Sequence, residues 1–388
     1  MKKVLFVATV QSHIMNFHIP YLKLWQDKGY EVHVATNMDT KKYNNVEEII
    51  SNIIWNNIDF DRSPFSKNTF VALKQLIDIM NENRYELVHV HTPVGGILGR
   101  MAAKITNTKN VVYTAHGLHF YKGAPKKNWL IYYPIEKIMA RYTDAIITIN
   151  EEDYQLVKNK FKTRIRGNVF KINGVGIDLN KYNTSDTKNI AFKRNLGLDE
   201  NDFVLSIIGE LNDNKNQIQL IKSVQYLKKH CDCNNIKCLV IGDGENKDKL
   251  NKYIEDNNLR DVIYILGFRN DIPNLINITD VLVSMSKREG LPKNIMEGMV
   301  SGKAIICTNI RGNRDLIKNK INGFLVDVDD IENTKKAIVK LICNKNLLDI
   351  YGLKNKEMIT DFEINYVLSQ VEHEVYDKLN KENTIITI

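Results

Sequence analysis

The sequence predicts an α/β protein made of two doubly wound domains, and three observations carry that prediction. Short apolar runs of strand length alternate with longer segments of helical spacing, the pattern of repeated βαβ units. The alternation pauses at NGVGIDLNKYNTSDTKN, residues 173–189, and starts afresh at DFVLSIIG, residues 202–209. The chain has 388 residues, more than one ordinary core holds and enough for two.

Taken in order, KKVLFVAT, YEVHVAT, LVHVHT, NVVYTAH, DAIITIN and VFKING read as buried parallel strands of a first domain. FHIPYLKLWQDKG, FVALKQLIDIMNENR and NWLIYYPIEKIMARY supply helices between them. DFVLSIIG, KCLVIG, VIYILG, DVLVSMS, AIICT and GFLVD continue the series in a second domain. The boundary is placed at 185/186. A last helix over 365–382 has no strand after it and is expected to cross back onto the first domain. Two such domains in one chain suggest a cleft lined by strand C-termini, where α/β folds bind ligands.

Composition narrows the class. The opening MKKVLFVATVQSHIM has a basic start and an apolar run, but it breaks at Gln11-Ser12-His13 without a small-residue cleavage site. It reads as a first strand, not a signal peptide. No segment approaches the ~20 apolar residues of a membrane span. Five cysteines, an odd number, fit a reducing compartment and a cytoplasmic protein. Residues 1–185 carry 25 Lys/Arg against 16 Asp/Glu, whereas the rest carry 29 against 30. The basic half is expected to face something anionic, such as nucleic acid or an acidic membrane surface.

SKREGLPKNIMEG, from residue 286, sets Glu289 and Glu297 eight apart with Gly290-Leu291-Pro292 after the first. Gly and Pro argue against one continuous helix, so Glu289 belongs on the loop before a helix and Glu297 inside it. The helix N-terminus then lies between two carboxylates. Such a place holds a phosphate, with an acid on either side for hydroxyls. A phosphate between two sugars is a nucleotide sugar. The plain alternative is a pair of exposed acids favoured by the helix dipole.

With REGLPKNIMEGMVSGKAIICTNIRGNRDLI, GELNDNKNQ and TAHGLHFYKGAPKKNWLIYYPIEKIMARYTDAIITINEED in hand, the whole chain resembles the retaining glycosyltransferases of family 4. The TAHG segment is similar to a subgroup that builds bacterial capsular, exopolysaccharide and lipid-linked saccharides. The resemblance implies the GT-B fold, two Rossmann-like domains facing across a cleft. Residues 1–185, completed by 365–388, would bind the acceptor, and 186–364 the donor. The implied reaction moves an N-acetylhexosamine or hexose from a UDP-sugar to a lipid-diphosphate-linked saccharide, with undecaprenyl as the expected lipid. No cofactor or metal is implied.

Glu289 would contact the donor sugar, Glu297 the ribose hydroxyls, and Lys215 the leaving diphosphate. Gly209, Gly242, Gly290, Leu291, Pro292 and Asn294 would line the donor site. Many relatives carry an arginine directly after the glycine of GELNDNKNQ; here that position is Glu210, so Arg269 or backbone N–H groups would share the phosphate charge. His116 would lie at the reacting side of the donor sugar. Ser12 and His13, in a first loop, would face the acceptor or the diphosphate, and Gly117, His119 and Lys122 the acceptor. An ordinary surface lysine, and histidines held by structural hydrogen bonds, are the plain alternatives for these residues.

Lys122, Lys126 and Lys127 with Phe120, Tyr121, Trp129, Tyr132 and Tyr133 suit a bilayer surface, which places the protein on the inner face of the cytoplasmic membrane. A core helix with solvated lysines is the alternative. Cys231, Cys233 and Cys238 are crowded but lack a second pair with zinc spacing. Asp327-Val328-Asp329 matches a metal-binding Asp-x-Asp formally and reads as a solvated turn. Two rival functions share the fold: a UDP-sugar 2-epimerase, and a non-catalytic nucleotide-sugar-binding partner. Nucleic-acid binding would leave Glu289 and Glu297 without a role.

Overall fold

In a computed structural model, the residues described are all but 40–44, 62–65, 67, 166, 184–188, 231–234 and 380–388. Two sheets organise the chain, every strand pairing being parallel. The first contains β1 (Lys3–Val10), β2 (Glu31–Asn37), β3 (Ile53–Asn57), β4 (Leu87–His91), β5 (Val111–Ala115), β6 (Ala145–Thr148) and β7 (Val169–Lys171). Its order is β3-β2-β1-β4-β5-β6-β7. The second contains β8 (Phe203–Ile208), β9 (Ile236–Ile241), β10 (Ile263–Gly267), β11 (Val281–Ser284), β12 (Ala304–Thr308) and β13 (Phe324–Val326), in the order β10-β9-β8-β11-β12-β13. Strands β4, β5, β6, β11 and β12 are buried along their whole length. Helices covering both faces of a parallel sheet explain why these strands read as unbroken apolar runs rather than alternations.

β3 is a strand that the apolar runs do not announce. IIWNN lies at the sheet edge and buries only Ile53 fully, so it needs no continuous apolar run.

The chain divides into two compact units, residues 1–176 with 364–388, and residues 177–363. The position 185/186 lies outside the described residues. The division falls earlier because Ile177 and Tyr182 are buried in the core of the second unit, beside Met296, Met299 and Ile359. Ser301 donates a hydrogen bond to the Tyr182 carbonyl at 2.7 Å. The last helical stretch starts at Ile364 and includes a π-helical segment, Val371–Tyr376. It buries Val367, Val371, Val375 and Tyr376 in the first unit. The Tyr376 hydroxyl meets His89 Nδ1 at 2.8 Å, and Glu372 pairs with Lys28 at 2.5 Å. The part of the expected helix beyond residue 379 lies outside the described residues.

A buried ion pair stiffens the first unit behind its strand ends. Arg100 donates to Glu136 at 2.8 Å and to the Gly96 carbonyl at 2.7 Å, with its guanidinium 4.0 Å from the Tyr113 ring centroid. It ties helix Pro93–Ile105 to helix Lys126–Ala140.

Candidate functional site

Each sheet has one place where the strand order reverses direction, between β1 and β4 in the first and between β8 and β11 in the second. Loops leaving the C-terminal ends of such strands diverge and open a crevice. Lys215, Glu289 and Asn294 lie at the second of these places and Ser12, His13 and His116 at or beside the first, whereas Arg269, His119 and Lys122 lie elsewhere.

In the second unit, β8 is followed by a turn carrying Lys215, and helix Gln217–His230 begins two residues later. Lys215 is therefore in the turn rather than at the helix start. Strand β11 is followed by the loop carrying Glu289, and then by helix Lys293–Val300 with Pro292 at its N-cap. Glu289 thus lies before the helix and Glu297 inside it. Lys215 Nζ donates to Glu289 Oε1 at 2.6 Å. Two further bonds join the loops: Lys287 N–H to the Asn214 carbonyl at 2.8 Å, and Asn214 Nδ2 to the Arg288 carbonyl at 3.1 Å. The buried Arg311 donates from Nε to the Glu289 carbonyl at 3.2 Å. Arg311 lacked any signal beyond its place in NIRGNRD.

Asn294 donates to the Ile208 carbonyl at 2.8 Å, which fixes the helix start to the end of β8 beside Gly209. Gly209 and Gly242 end neighbouring strands. A Cβ on Gly242, whose φ is +142°, would lie 2.0 Å from the Gly209 carbonyl oxygen, so only glycine fits. Glu297 is buried, and burial raises its carboxyl above the ordinary value while the Tyr182 hydroxyl and Lys293 pull it back. Its carboxylate and Lys293 Nζ are 4.0 Å apart. Gly290 and Leu291 complete the loop, and the Gly290 carbonyl lies close under Gly312.

Arg269 follows the edge strand β10, two strands from β8, and both its contacts go to Asp271, at 2.8 and 2.6 Å. Its charge is already balanced there. Glu210 is exposed and accepts from Asn212 Nδ2 at 3.0 Å. Asp327–Asp329 forms a turn, but not an isolated one: Asp329 accepts from Asn216 Nδ2 at 3.0 Å, next to Lys215. Cys238 is buried in β9, and burial pushes its thiol up to about 12. Cys231 and Cys233 lie outside the described residues.

In the first unit, Ser12 and His13 are in helix Gln11–Phe17, which starts directly after β1. With no glycine to open a loop, the strand turns straight into the helix. His18 caps the end of that helix, His91 ends β4, and His116 follows β5. Three separate segments therefore bring His13, His18, His91 and His116 together. His91 Nδ1 and His116 Nε2 are 3.2 Å apart, and the His13 and His116 rings meet edge-on at 4.5 Å. His18 and His91 were not singled out from sequence; HVH at a strand end and SHIMNFH were the available signals. Thr92, next to His91, has φ +62° and ψ 156°, a strained conformation held by hydrogen bonds to Thr9, N–H at 3.0 Å and Oγ1 at 2.7 Å.

Gly117 precedes Leu118, whose N–H donates to Asp153 at 3.0 Å. The His119 ring packs on Tyr132 at 4.7 Å, away from the four-histidine group. Lys122 is exposed, and its backbone N–H is held by Glu152 at 2.9 Å. On helix Lys126–Ala140 the aromatics do not form a surface belt. Phe120 is buried, and Trp129, Tyr132 and Tyr133 pack against the same core, as rings at helical spacing commonly do. The outer face instead presents Lys126, Lys127, Leu130 and Ile131, with Leu130 78% exposed. No helix among the described residues is long and apolar enough to cross a membrane.

Comparison with known proteins bears directly on this arrangement. The family described as "Glycosyl transferases group 1" matches residues 188–358, and "Glycosyl transferase 4-like" matches residues 3–150. The chain is 38% identical over 365 residues to the Bacillus subtilis (strain 168) protein that carries the glycosyltransferase name EpsD, covering 93% of each chain. It is 32% identical over 278 residues to the Escherichia coli UDP-Gal:alpha-D-GlcNAc-diphosphoundecaprenol alpha-1,3-galactosyltransferase, covering 71% of each. The fold is that of Anabaena Alr3699/HepE, seen in complex with UDP-glucose, with a TM-score of 0.79 at 19% identity over 97% of this chain and 100% of that one. The Bacillus subtilis and Escherichia coli relatives carry transferase names, which favours transfer over the epimerase and non-catalytic readings. Two Rossmann-like units, the Lys215–Glu289–Glu297 arrangement and these matches together place the chain in the family-4 type of glycosyltransferases, with the GT-B fold.

Proposed function

We propose that the protein is a retaining transferase that moves a hexose or N-acetylhexosamine from a UDP-sugar to a saccharide carried on a lipid diphosphate, with undecaprenyl as the expected lipid. The carrying observation is the 2.6 Å contact of Lys215 with Glu289 at the strand switch point of the second unit. The 32% identity to a galactosyltransferase named for a diphosphoundecaprenol acceptor supports the substrate class. Membership of this family supports a donor site that works without a metal or organic cofactor.

In this reading the second unit binds the donor. Departure of UDP concentrates negative charge on the diphosphate, and stabilising that charge supplies most of the rate. Lys215 is the cation for it, oriented before the donor arrives by Glu289 and by the bonds between the two loops. The N-terminus of helix Lys293–Val300 follows the Glu289 loop directly, and the positive end of its dipole favours an anion. Glu289, once Lys215 turns to the phosphate, accepts from donor-sugar hydroxyls, and Glu297 accepts from the ribose. Arg269, tied to Asp271, adds little, so Lys215 carries more of the charge than where an arginine replaces Glu210. The first unit receives the acceptor near Ser12, His13 and His116. The acceptor hydroxyl attacks the face that the diphosphate leaves, and the departing phosphate takes its proton, which retains configuration.

Lys126, Lys127, Leu130 and Ile131 give the first unit a basic and apolar outer face suited to an anionic bilayer, where the lipid acceptor resides. The location that follows is the cytoplasmic side of the membrane, held peripherally.

The test is UDP release by the purified protein against a panel of UDP-sugars, with and without undecaprenyl-diphosphate-linked acceptors. Release with one sugar, raised by the lipid acceptor and lost in Glu289→Ala, supports the proposal. UDP binding without release on any acceptor overturns it.

A further inference from the structure

Four imidazoles meet at the switch point of the first sheet, with His91 Nδ1 and His116 Nε2 hydrogen-bonded to each other at 3.2 Å and four other ring nitrogens without a partner. The ring nitrogens of His13, His18, His91 and His116 that face one another all lie within 4.8 Å. Neither nitrogen of His18 has a hydrogen-bond partner, and His13 Nε2 and His91 Nε2 also lack one. His18 is 2% exposed and His91 is 0% exposed, so bulk water does not serve them. Polar atoms buried without partners are rare and unfavourable, and a cluster of four is far from chance.

Burial keeps these rings uncharged, holding His13 at about 4 and the other three well below their ordinary value. An uncharged ring offers a lone pair, which suits a cation and not a phosphate. The group includes no carboxylate, which disfavours magnesium and calcium, since both prefer oxygen ligands. Nitrogen ligands without thiolate or carboxylate suit a borderline divalent transition ion, and zinc accepts such a set in tetrahedral geometry.

We propose that His13, His18, His91 and His116 form a binding site for a divalent transition ion, zinc foremost, that fastens together the C-terminal ends of β1, β4 and β5. The segments concerned are held from behind. The neighbouring His89 is committed elsewhere, with Nδ1 to the Tyr376 hydroxyl at 2.8 Å and Nε2 to Thr114 Oγ1 at 2.7 Å, so it is not a ligand. The hydrogen-bonded Thr92 fixes the residue after His91. The His18 and His91 rings lie 3.9 Å apart, nearly stacked, so the two do not point symmetrically at one centre. Either ring completes a three-histidine set with His13 and His116, and a rotation of one ring brings in the fourth. The site uses no residue of the second unit, but it shares His13 and His116 with the acceptor reading, so its test reads metal binding and not transfer.

The full-length protein, stripped with a chelator, is titrated with Co²⁺ and then Zn²⁺. The expected result is one equivalent of Co²⁺ with the strong visible absorption of a tetrahedral nitrogen site, displaced by one equivalent of Zn²⁺, and a higher Tm on zinc addition. His18→Gln and His91→Gln each weaken binding tenfold or more and abolish the Tm rise. Far-UV circular dichroism confirms that the variants are folded, and the wild-type titration stands without them. No saturable Co²⁺ spectrum in the wild type, zinc affinity unchanged from wild type in both folded variants, or protection by inorganic diphosphate in place of zinc overturns the proposal.

Discussion

The two sheets reverse strand order in the same way, yet the chemistry placed at the two reversals is opposite. At β8/β11 the side chains are charged, with Lys215 and Glu289 paired and partly open and Glu297 buried within the helix that follows. At β1/β4 they are histidines kept uncharged by burial. Topology therefore supplies a crevice, and the residues that end the strands decide what it can hold. A charged crevice matches a charged donor. An uncharged, nitrogen-rich one matches a metal ion or a sugar hydroxyl, neither of which needs a counter-charge on a side chain.

The sharpest way to break this comparison is to remove the charge at one reversal only. Lys215→Met leaves Glu289 without its partner and, on the role proposed for Lys215, the diphosphate without its cation. Transfer is expected to fall by about 10²–10³ in kcat, the range seen when one stabilising group is lost. Donor binding should weaken less, because the charge develops mainly in the transition state. An equal loss in UDP affinity, with kcat unchanged, would make Lys215 a binding group only. Glu289→Ala is expected to lower transfer similarly while leaving cobalt binding at the histidines intact.

Acid separates the two reversals next. His13, His18, His89, His91 and His116 have folded-state values below 6.5 because burial disfavours the charged ring, with His13 at about 4 and His89 at about 3. The unfolded chain binds protons on these rings first as pH falls. Their contribution to stability is thus complete above pH ~6.5 and is lost progressively as pH falls through His13 at about 4 and on through His89 at about 3. Hydrogen exchange of the zinc-free protein should show β1, β4 and β5 losing protection before β8 and β11. Simultaneous loss in both units would mean that the histidines do not set the acid limit.

How much of this was legible in the sequence follows from how each region is assembled. Lys215, Glu289 and Glu297 belong to short contiguous stretches punctuated by Gly and Pro, where helix-start physics alone predicts one acid before the helix and one within it. The four-histidine group spans residues 13 to 116, and no single window contains it. HVH and SHIMNFH look like strand and helix ends until the sheet order places β1, β4 and β5 side by side. β3 stayed hidden because an edge strand needs little apolar surface. The aromatic stretch at 120–133 misled for a related reason. Its rings follow a helical period, and period alone does not say whether the face meets a core or a membrane.

A smaller effect tests the geometry under the charged reversal. Gly242→Ala puts a Cβ where the Gly209 carbonyl now lies and imposes an unfavourable φ. The expected cost is about 1–3 kcal/mol, read as a lower Tm, with the first unit's cobalt binding unchanged. A neutral substitution would mean that the β8 and β9 strand ends can move apart.

Glu297→Gln gives the smallest effect and the finest comparison, because here the charged reversal itself contains a buried acid. Burial raises the Glu297 carboxyl above 4.5 despite Tyr182 and Lys293. The folded protein therefore holds this proton more tightly than the unfolded chain does. Stability contributed by this residue is highest below 4.5, falls as pH rises through the raised value, and stays reduced at neutral pH. Glutamine removes that penalty while keeping the shape. The variant should melt higher than wild type at neutral pH, with the difference vanishing below pH ~4.5. It should also bind UDP about tenfold more weakly, since an amide is a poorer acceptor for two ribose hydroxyls than a carboxylate. A variant that gains stability and loses UDP affinity identifies a carboxylate kept for its ligand at a cost to the fold. A variant that loses both shows that Tyr182 and Lys293 already make the charge favourable, and that Glu297 is part of the scaffold around helix Lys293–Val300.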